Sequence, residues 1–283
     1  MAAQTVYHQG WNLDEVPWQA FDPSAVDPVM LAAVKAAALV EYNAPDYVTY
    51  LKRVFRGAAT ETLSAIERWG EEESQHGRAL ARWAETADPN FRMDTAFARF
   101  RKGYTPTHFA DTEGLGSFRG SRRGEMIARC VVESGTSSYY SAIRDATEEP
   151  VLKEIAGRIA ADEYRHYRLF YEILRNQDEP DLSFWRKLWV AIGRVRESGD
   201  DELAFAFYCA NVKPEEEAAK PYERKLYSRL AAKTSMTIYR PRHIRKLVQM
   251  VAKAVGADPH GRWANWGEEI LWLLMKHKAA IGT

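Results

Sequence analysis

Cysteine is nearly missing from this chain: 283 residues carry two, Cys130 and Cys209. Two thiols build neither a disulfide framework nor a four-cysteine metal site, and they point to a reducing, cytoplasmic setting. Glycine and proline are sparse, at 17 and 12 residues, and few stretches alternate at period two. Both absences argue against sheet and for an all-α fold. No leader peptide is expected, and no uncharged apolar run is long enough for a transmembrane segment. Neither sign of charge is in excess, since 39 Lys and Arg balance 39 Asp and Glu. The chain as a whole therefore has no built-in attraction to nucleic acid or to an anionic membrane.

What the chain does have is two Glu-x-x-His units, Glu73-Ser-Gln-His76 and Glu163-Tyr-Arg-His166. Each has a further glutamate upstream, Glu41 before the first and Glu133 before the second. Residues i and i+3 share a helix face, so each Glu and its His can reach one metal ion together. Glutamate followed by Glu-x-x-His, twice, is the layout by which a four-helix bundle holds two metal ions. One such unit in a chain with 7 histidines is within chance, whereas two with matching upstream glutamates are not.

Turn positions support the pairing. Facing residues of an antiparallel helix pair lie symmetrically about the turn. The midpoint for Glu41 and the 73/76 pair falls near Gly57, in a segment reading as a helix stop with Thr60 as the next N-cap. The midpoint for Glu133 and the 163/166 pair falls at Glu149-Pro150, with proline in the first turn of a helix. The flanking residues form apolar stripes at helical spacing: Ile66, Trp69, Leu80 and Trp83 around Glu73, and Ile159, Tyr167 and Phe170 around Glu163. An isolated carboxylate in such a stripe is costly, and a shared metal charge removes that cost. Glu71 and Glu72 read as a solvated acidic face. Pro45 cannot donate to the carbonyl of Glu41, so the first helix is expected to kink there.

The expected organisation is a lead-in over 1–25, a ferritin-like four-helix bundle over 26–178, and about four additional C-terminal helices over 181–283 packed on it. The bundle is two hairpins, 26–57 with 60–87 and 121–147 with 150–177. They are joined by a long crossover over 88–120 that contains Pro89, Gly103, Pro106, Gly114, Gly116 and Gly120.

The motifs resemble those of soluble acyl-[acyl carrier protein] desaturases, within the ferritin-like di-iron carboxylate superfamily. Glu71-Glu72-Glu73-Ser74-Gln75-His76-Gly77 is similar to their first metal motif, and Asp162-Glu163-Tyr164-Arg165-His166 to their second. Glu133-Ser134-Gly135-Thr136 is similar to their Glu-Arg-Ala-Thr motif, and the likeness covers about residues 30–175. Gln75 and Tyr167 depart from the family pattern. The resemblance implies that Glu41, Glu73, His76, Glu133, Glu163 and His166 hold two iron ions, or iron with manganese, with Glu73 and Glu163 bridging. It also implies that Thr136 acts catalytically beside the metals, while an ordinary hydroxyl bonded to a helix carbonyl is the other reading. Asp162 would orient a ligating histidine through its free ring nitrogen.

Three functions share such a scaffold: an oxygen-activating oxidase that removes hydrogen from an organic substrate, an iron-storing ferritin, and a peroxide-reducing rubrerythrin. Two cysteines weigh against the last, and the hundred or so residues beyond the bundle weigh against storage. The oxidase reading is favoured, with desaturation, hydroxylation and N-oxygenation left open. It needs an external electron donor, a ferredoxin or reductase, and a homodimer is expected. Residues 224–257 contain nine basic and no acidic residues. Arg240, Arg242, Arg245 and Lys246 read as a dock for an acidic partner: an acyl carrier protein, an acidic ferredoxin or an anionic lipid surface. A solvated basic face is the alternative.

Overall fold

The computed structural model describes residues 10–104, 117–197 and 201–280, and every regular element among them is helical. The all-α expectation holds. Residues 1–9 of the lead-in and 105–116 of the crossover, with Pro106, Gly114 and Gly116, lie outside the described residues.

After short 3-10 turns between residues 13 and 25, the α-helices are α1 (Pro28–Tyr42), α2 (Ala44–Val54), α3 (Thr60–Ala87), α4 (Met93–Gly103), α5 (Arg122–Ala146) and α6 (Pro150–Arg175). They continue as α7 (Phe184–Glu197), α8 (Asp201–Asn211), α9 (Arg224–Ile238), α10 (Pro241–Val255) and α11 (Arg262–Ala280). The described part of the crossover thus contains a helix, and five α-helices follow residue 181 among the described residues, where about four were expected. Helix α5 packs along α6, α1 along α3, and α3 against α6. Outside these, α8 covers α1, while α7 and α10 cover α5 and α11 rests on α9 and α10.

The first expected helix is broken rather than kinked. Asn43 stands between α1 and α2, with Pro45 in the first turn of α2. A missing amide is tolerated there, because the first turn has no intrahelical acceptor to satisfy. The break brings the chain against α3 at Gly77, where a Cβ would lie 2.7 Å from the Tyr42 backbone nitrogen. Gly57 takes φ +80° and turns the chain into α3. Ala59, not Thr60, occupies the N-cap of α3 and gives it no side-chain hydrogen bond.

Helix α6 begins where the arithmetic placed it. Pro150 sits in its first turn and Glu149 caps it, accepting from the amides of Val151 and Leu152. The same buried carboxylate accepts the Trp83 indole N–H at 2.6 Å, tying the start of α6 to α3. Ser121 caps α5 by accepting from the Gly124 amide at 3.0 Å. These caps and turns fix the level of each helix, and so the level of each glutamate.

Candidate metal centre

Four helices deliver one acidic or imidazole group each, or two, to a common point inside the core. Glu41 comes from the last turn of α1, Glu73 and His76 from the middle of α3, Glu133 from α5, and Glu163 and His166 from α6. All six are buried, Glu73 and Glu41 being the most exposed at 6%. They form two groups whose candidate ligand atoms lie within 4.8 Å of one another: Glu41, Glu73, His76 and Glu163, and Glu73, Glu133, Glu163 and His166. Glu73 and Glu163 belong to both groups.

The histidines point inward through Nδ1. His76 Nδ1 lies 3.2 Å from Glu163 Oε1 and 3.9 Å from Glu73 Oε2. His166 Nδ1 lies 3.0 Å from Glu73 Oε1 and 3.7 Å from Glu133 Oε2. Neither Nδ1 has hydrogen-bond geometry to a partner, and the same holds for both Glu133 carboxylate oxygens and Glu163 Oε1. Buried polar atoms are normally paired. Five converging nitrogen and oxygen atoms without partners form a donor set that could hold metal ions.

Each outward Nε2 has a carboxylate. His76 Nε2–H donates to Asp162 Oδ2 at 2.9 Å, and His166 Nε2–H donates to Glu72 Oε2 at 2.7 Å. A carboxylate on the far nitrogen fixes the ring and its tautomer, leaving Nδ1 for a metal. Asp162 thus bonds a histidine, and the histidine is the one on the other helix. Glu72 is a correction: its side chain is 31% exposed and holds His166, whereas Glu71 is exposed as read. The signal was present, since Glu72 precedes Glu73 as Asp162 precedes Glu163.

Two further residues join the site. Trp11, from the lead-in, donates its indole N–H to Asp162 Oδ2 at 2.8 Å and stacks on His76 with ring centroids 6.3 Å apart. Gln75 anchors it, donating to the Trp11 carbonyl at 2.6 Å. Tyr140, on α5, donates its hydroxyl to Glu41 Oε1. Thr136, half-buried, has its hydroxyl 2.5 Å from Glu163 Oε2 and 3.3 Å from the carbonyls of Val132 and Glu133. The carboxylate is the nearer and stronger acceptor. Of the other aromatic residues on α3 and α6, Trp69, Trp83 and Tyr167 are core, while Tyr164 is 43% exposed.

Protonation follows from crowding. Burial pushes the Glu41 carboxyl well above the usual range, and Glu73 adds to this. Burial does the same to Glu133, with Glu163 next. Burial opposes charge on Glu163 too, yet the adjacent His166 and His76 imidazoles hold its carboxyl far below the usual range. Burial lowers His76, but Asp162 and Glu163 lift it to about 9. His166 is lifted well above its ordinary value against burial, by Glu163, Glu72 and Glu73. Protons here do what cations would do: they neutralise acidic groups that the core cannot hold as bare charges.

The four residues read as a dock are not all free to receive a partner. Arg242 pairs with Asp145 at 2.7 Å and Arg245 with Glu268 at 2.9 Å. Lys246 lies over the Tyr164 ring at 5.5 Å, and Arg240 donates to the carbonyls of Thr237 and Tyr239.

Fold and site together define an all-helical protein with buried Glu/His groups that could hold metal ions. No family model matches the chain, and no curated protein does either.

Proposed function

We propose that this chain is a ferritin-like di-iron oxidoreductase that uses dioxygen to remove hydrogen from an organic substrate, as an acyl-chain desaturase does. The observation that carries the reading is the pair of ligand groups sharing Glu73 and Glu163, with both histidine Nδ1 atoms turned inward and unpartnered. One ion would be held by Glu41, Glu73, His76 and Glu163, the other by Glu73, Glu133, Glu163 and His166. Two bound irons would supply the reductive activation of dioxygen, and iron with manganese would serve the same class of chemistry.

The chain's own residues do the rest. Asp162 and Glu72 hold the two imidazoles in place. Tyr140 holds Glu41 at the end of α1. Thr136 keeps a hydroxyl proton at Glu163 Oε2, next to where a reacting group would lie. Ile66 and Trp69 on α3 and Ile159 and Phe170 on α6, all buried, would keep bulk water from the centre. Both cysteines are buried and single, so electrons would come from a separate ferredoxin or reductase. A carrier-protein-bound acyl chain is the substrate suggested by the resemblance.

Reconstitution with ferrous iron followed by elemental analysis tests the reading. Two metal ions per chain are expected, with loss of one or both in His76→Ala and His166→Ala. A stoichiometry at or below one that neither substitution changes rejects it.

A further inference from the structure

Fifteen large hydrophobic side chains are exposed among the described residues, and nine of them lie on two helices. Helix α7 exposes Phe184, Trp185, Trp189 and Ile192, and α11 exposes Trp263, Trp266, Ile270, Leu273 and Leu274. Four of the chain's 9 tryptophans are at least half exposed, Trp263 at 77% and Trp185 at 68%. Tryptophan is costly to leave in water, so a grouped set of this kind marks a surface that something covers.

The spacing shows that these are faces. On α11, residues 263, 266, 270, 273 and 274 fall on one stripe about 100° wide at helical periodicity. That stripe is separate from the one holding buried Ala264 and half-buried Leu271 and Met275, which packs on the body. On α7, buried Val190 and Ala191 face the core, and Trp185, Trp189 and Ile192 lie on the opposite side. Each helix therefore has a second apolar face that is exposed among the described residues.

Charge decides between occupants. Both helices pack against α10, which exposes Arg242, Arg245, Lys246 and Lys253. Arg186 and Arg196 on α7, and Arg262, Lys276 and His277 on α11, are exposed as well. Against them stand Glu268, already engaged by Arg245, Asp145, already engaged by Arg242, and exposed Glu269. Glu197, the one acid of α7, is paired with Arg119. This basic excess arises in a chain with zero formal net charge, so it is local to this region. Two copies meeting through these surfaces would oppose like charges. An anionic surface with an apolar interior below it matches both features.

We propose that α7 and α11, with the basic outer side of α10, dock the protein onto an anionic lipid bilayer surface. The tryptophan and aliphatic side chains enter the headgroup boundary, where tryptophan is favoured, and the arginines and lysines meet lipid phosphates. No described helix is long and apolar enough to cross a membrane, so the attachment is to one face. The basic helix singled out in the sequence thereby gains a role that its internal ion pairs leave open. The proposal does not depend on the metal chemistry.

Co-sedimentation of the metal-loaded protein with vesicles tests it. Vesicles of phosphatidylcholine alone are compared with vesicles of phosphatidylcholine mixed with phosphatidylglycerol. Binding to the mixed vesicles is expected, weaker at high salt, with a blue shift of tryptophan emission. The double variants Trp185→Ser/Trp189→Ser and Trp263→Ser/Trp266→Ser are each expected to lower the partition coefficient at least about tenfold. They should leave metal content and helical circular dichroism unchanged. A protein that stays in the supernatant with both vesicle types overturns the proposal. So does unchanged binding of both double variants. Sedimentation velocity provides a further arm: a dimer that dissociates in the Trp263→Ser/Trp266→Ser variant would show that a second copy covers α11, and would also overturn it.

Discussion

Glu72 and His166 are 94 residues apart and meet at 2.7 Å, carboxylate oxygen to Nε2. Asp162 and His76 repeat the relationship at 2.9 Å in the opposite direction. Each Glu-x-x-His unit therefore carries, one residue before its glutamate, the acid that orients the other unit's histidine. The two α-helical hairpins are locked in register by this exchange as well as by any shared ion.

Glu72→Gln and Asp162→Asn are expected to lower metal affinity about 10- to 100-fold each, as removal of an orienting carboxylate commonly does. The effects should separate by site: Glu72→Gln weakens the ion nearest His166, and Asp162→Asn the ion nearest His76. Metal titration monitored by absorbance, together with elemental analysis, measures both. Wild-type affinity in Glu72→Gln would mean that this carboxylate is only a surface acid.

Iron-loaded, reduced protein is expected to consume dioxygen and to build no mineral core. The five helices beyond residue 181 motivate this, since a storage shell needs little beyond its bundle. An oxygen electrode, followed by size analysis after loading with excess iron, separates the outcomes. Soluble shells filled with mineral would favour iron storage.

Gly77→Ala should destabilise the fold by about 1–3 kcal/mol, the usual cost of overpacking a tight contact. The added methyl would meet the Tyr42 backbone at 2.7–2.9 Å, and Tyr42 follows Glu41. Chemical denaturation measures the stability change. Metal analysis of the same variant should show weaker retention of the ion that Glu41 would hold. An unchanged midpoint would mean that α1 shifts away at little cost.

Asp145 offers a pH test away from the centre. Burial opposes its charge, but hydrogen bonds from His243, Arg144 and Arg242 hold its carboxyl far below the ordinary value of 3.8. The folded state thus favours the carboxylate. Its contribution is full above the ordinary value and fades as pH falls toward the depressed one. The melting-temperature gap between wild type and Asp145→Asn should be full near neutrality and narrow below about pH 4. A gap that stays constant across this range would contradict the assignment.

Much of the centre was legible in the sequence because its geometry is local. An i, i+3 pair shares a helix face whatever surrounds it, and Gly57 and Glu149-Pro150 mark turns that place Glu41 and Glu133 level with those pairs. Apolar periodicity and scarce glycine and proline likewise established an all-helical chain. Local signals were weaker where two chemistries compete. Pro45 indicated a disturbed helix, yet only packing against Gly77 shows a break at Asn43. Glu72 and Glu71 have similar local sequence surroundings, and only the position of His166 on another helix separates them.

The sequence by itself determined which residues are acidic or imidazole on which helix face, and that α3, α6 and α10 are amphipathic, because both depend on spacing along one segment. Tertiary structure alone decided what each face meets. It brought Trp11 to Asp162 and Tyr140 to Glu41, and it paired Arg242 with Asp145 and Arg245 with Glu268. It also left Trp185 and Trp189 of α7 and Trp263 and Trp266 of α11 facing outward. An apolar stripe has the same periodicity whether it faces a core or solvent, since burial depends on elements distant in the chain.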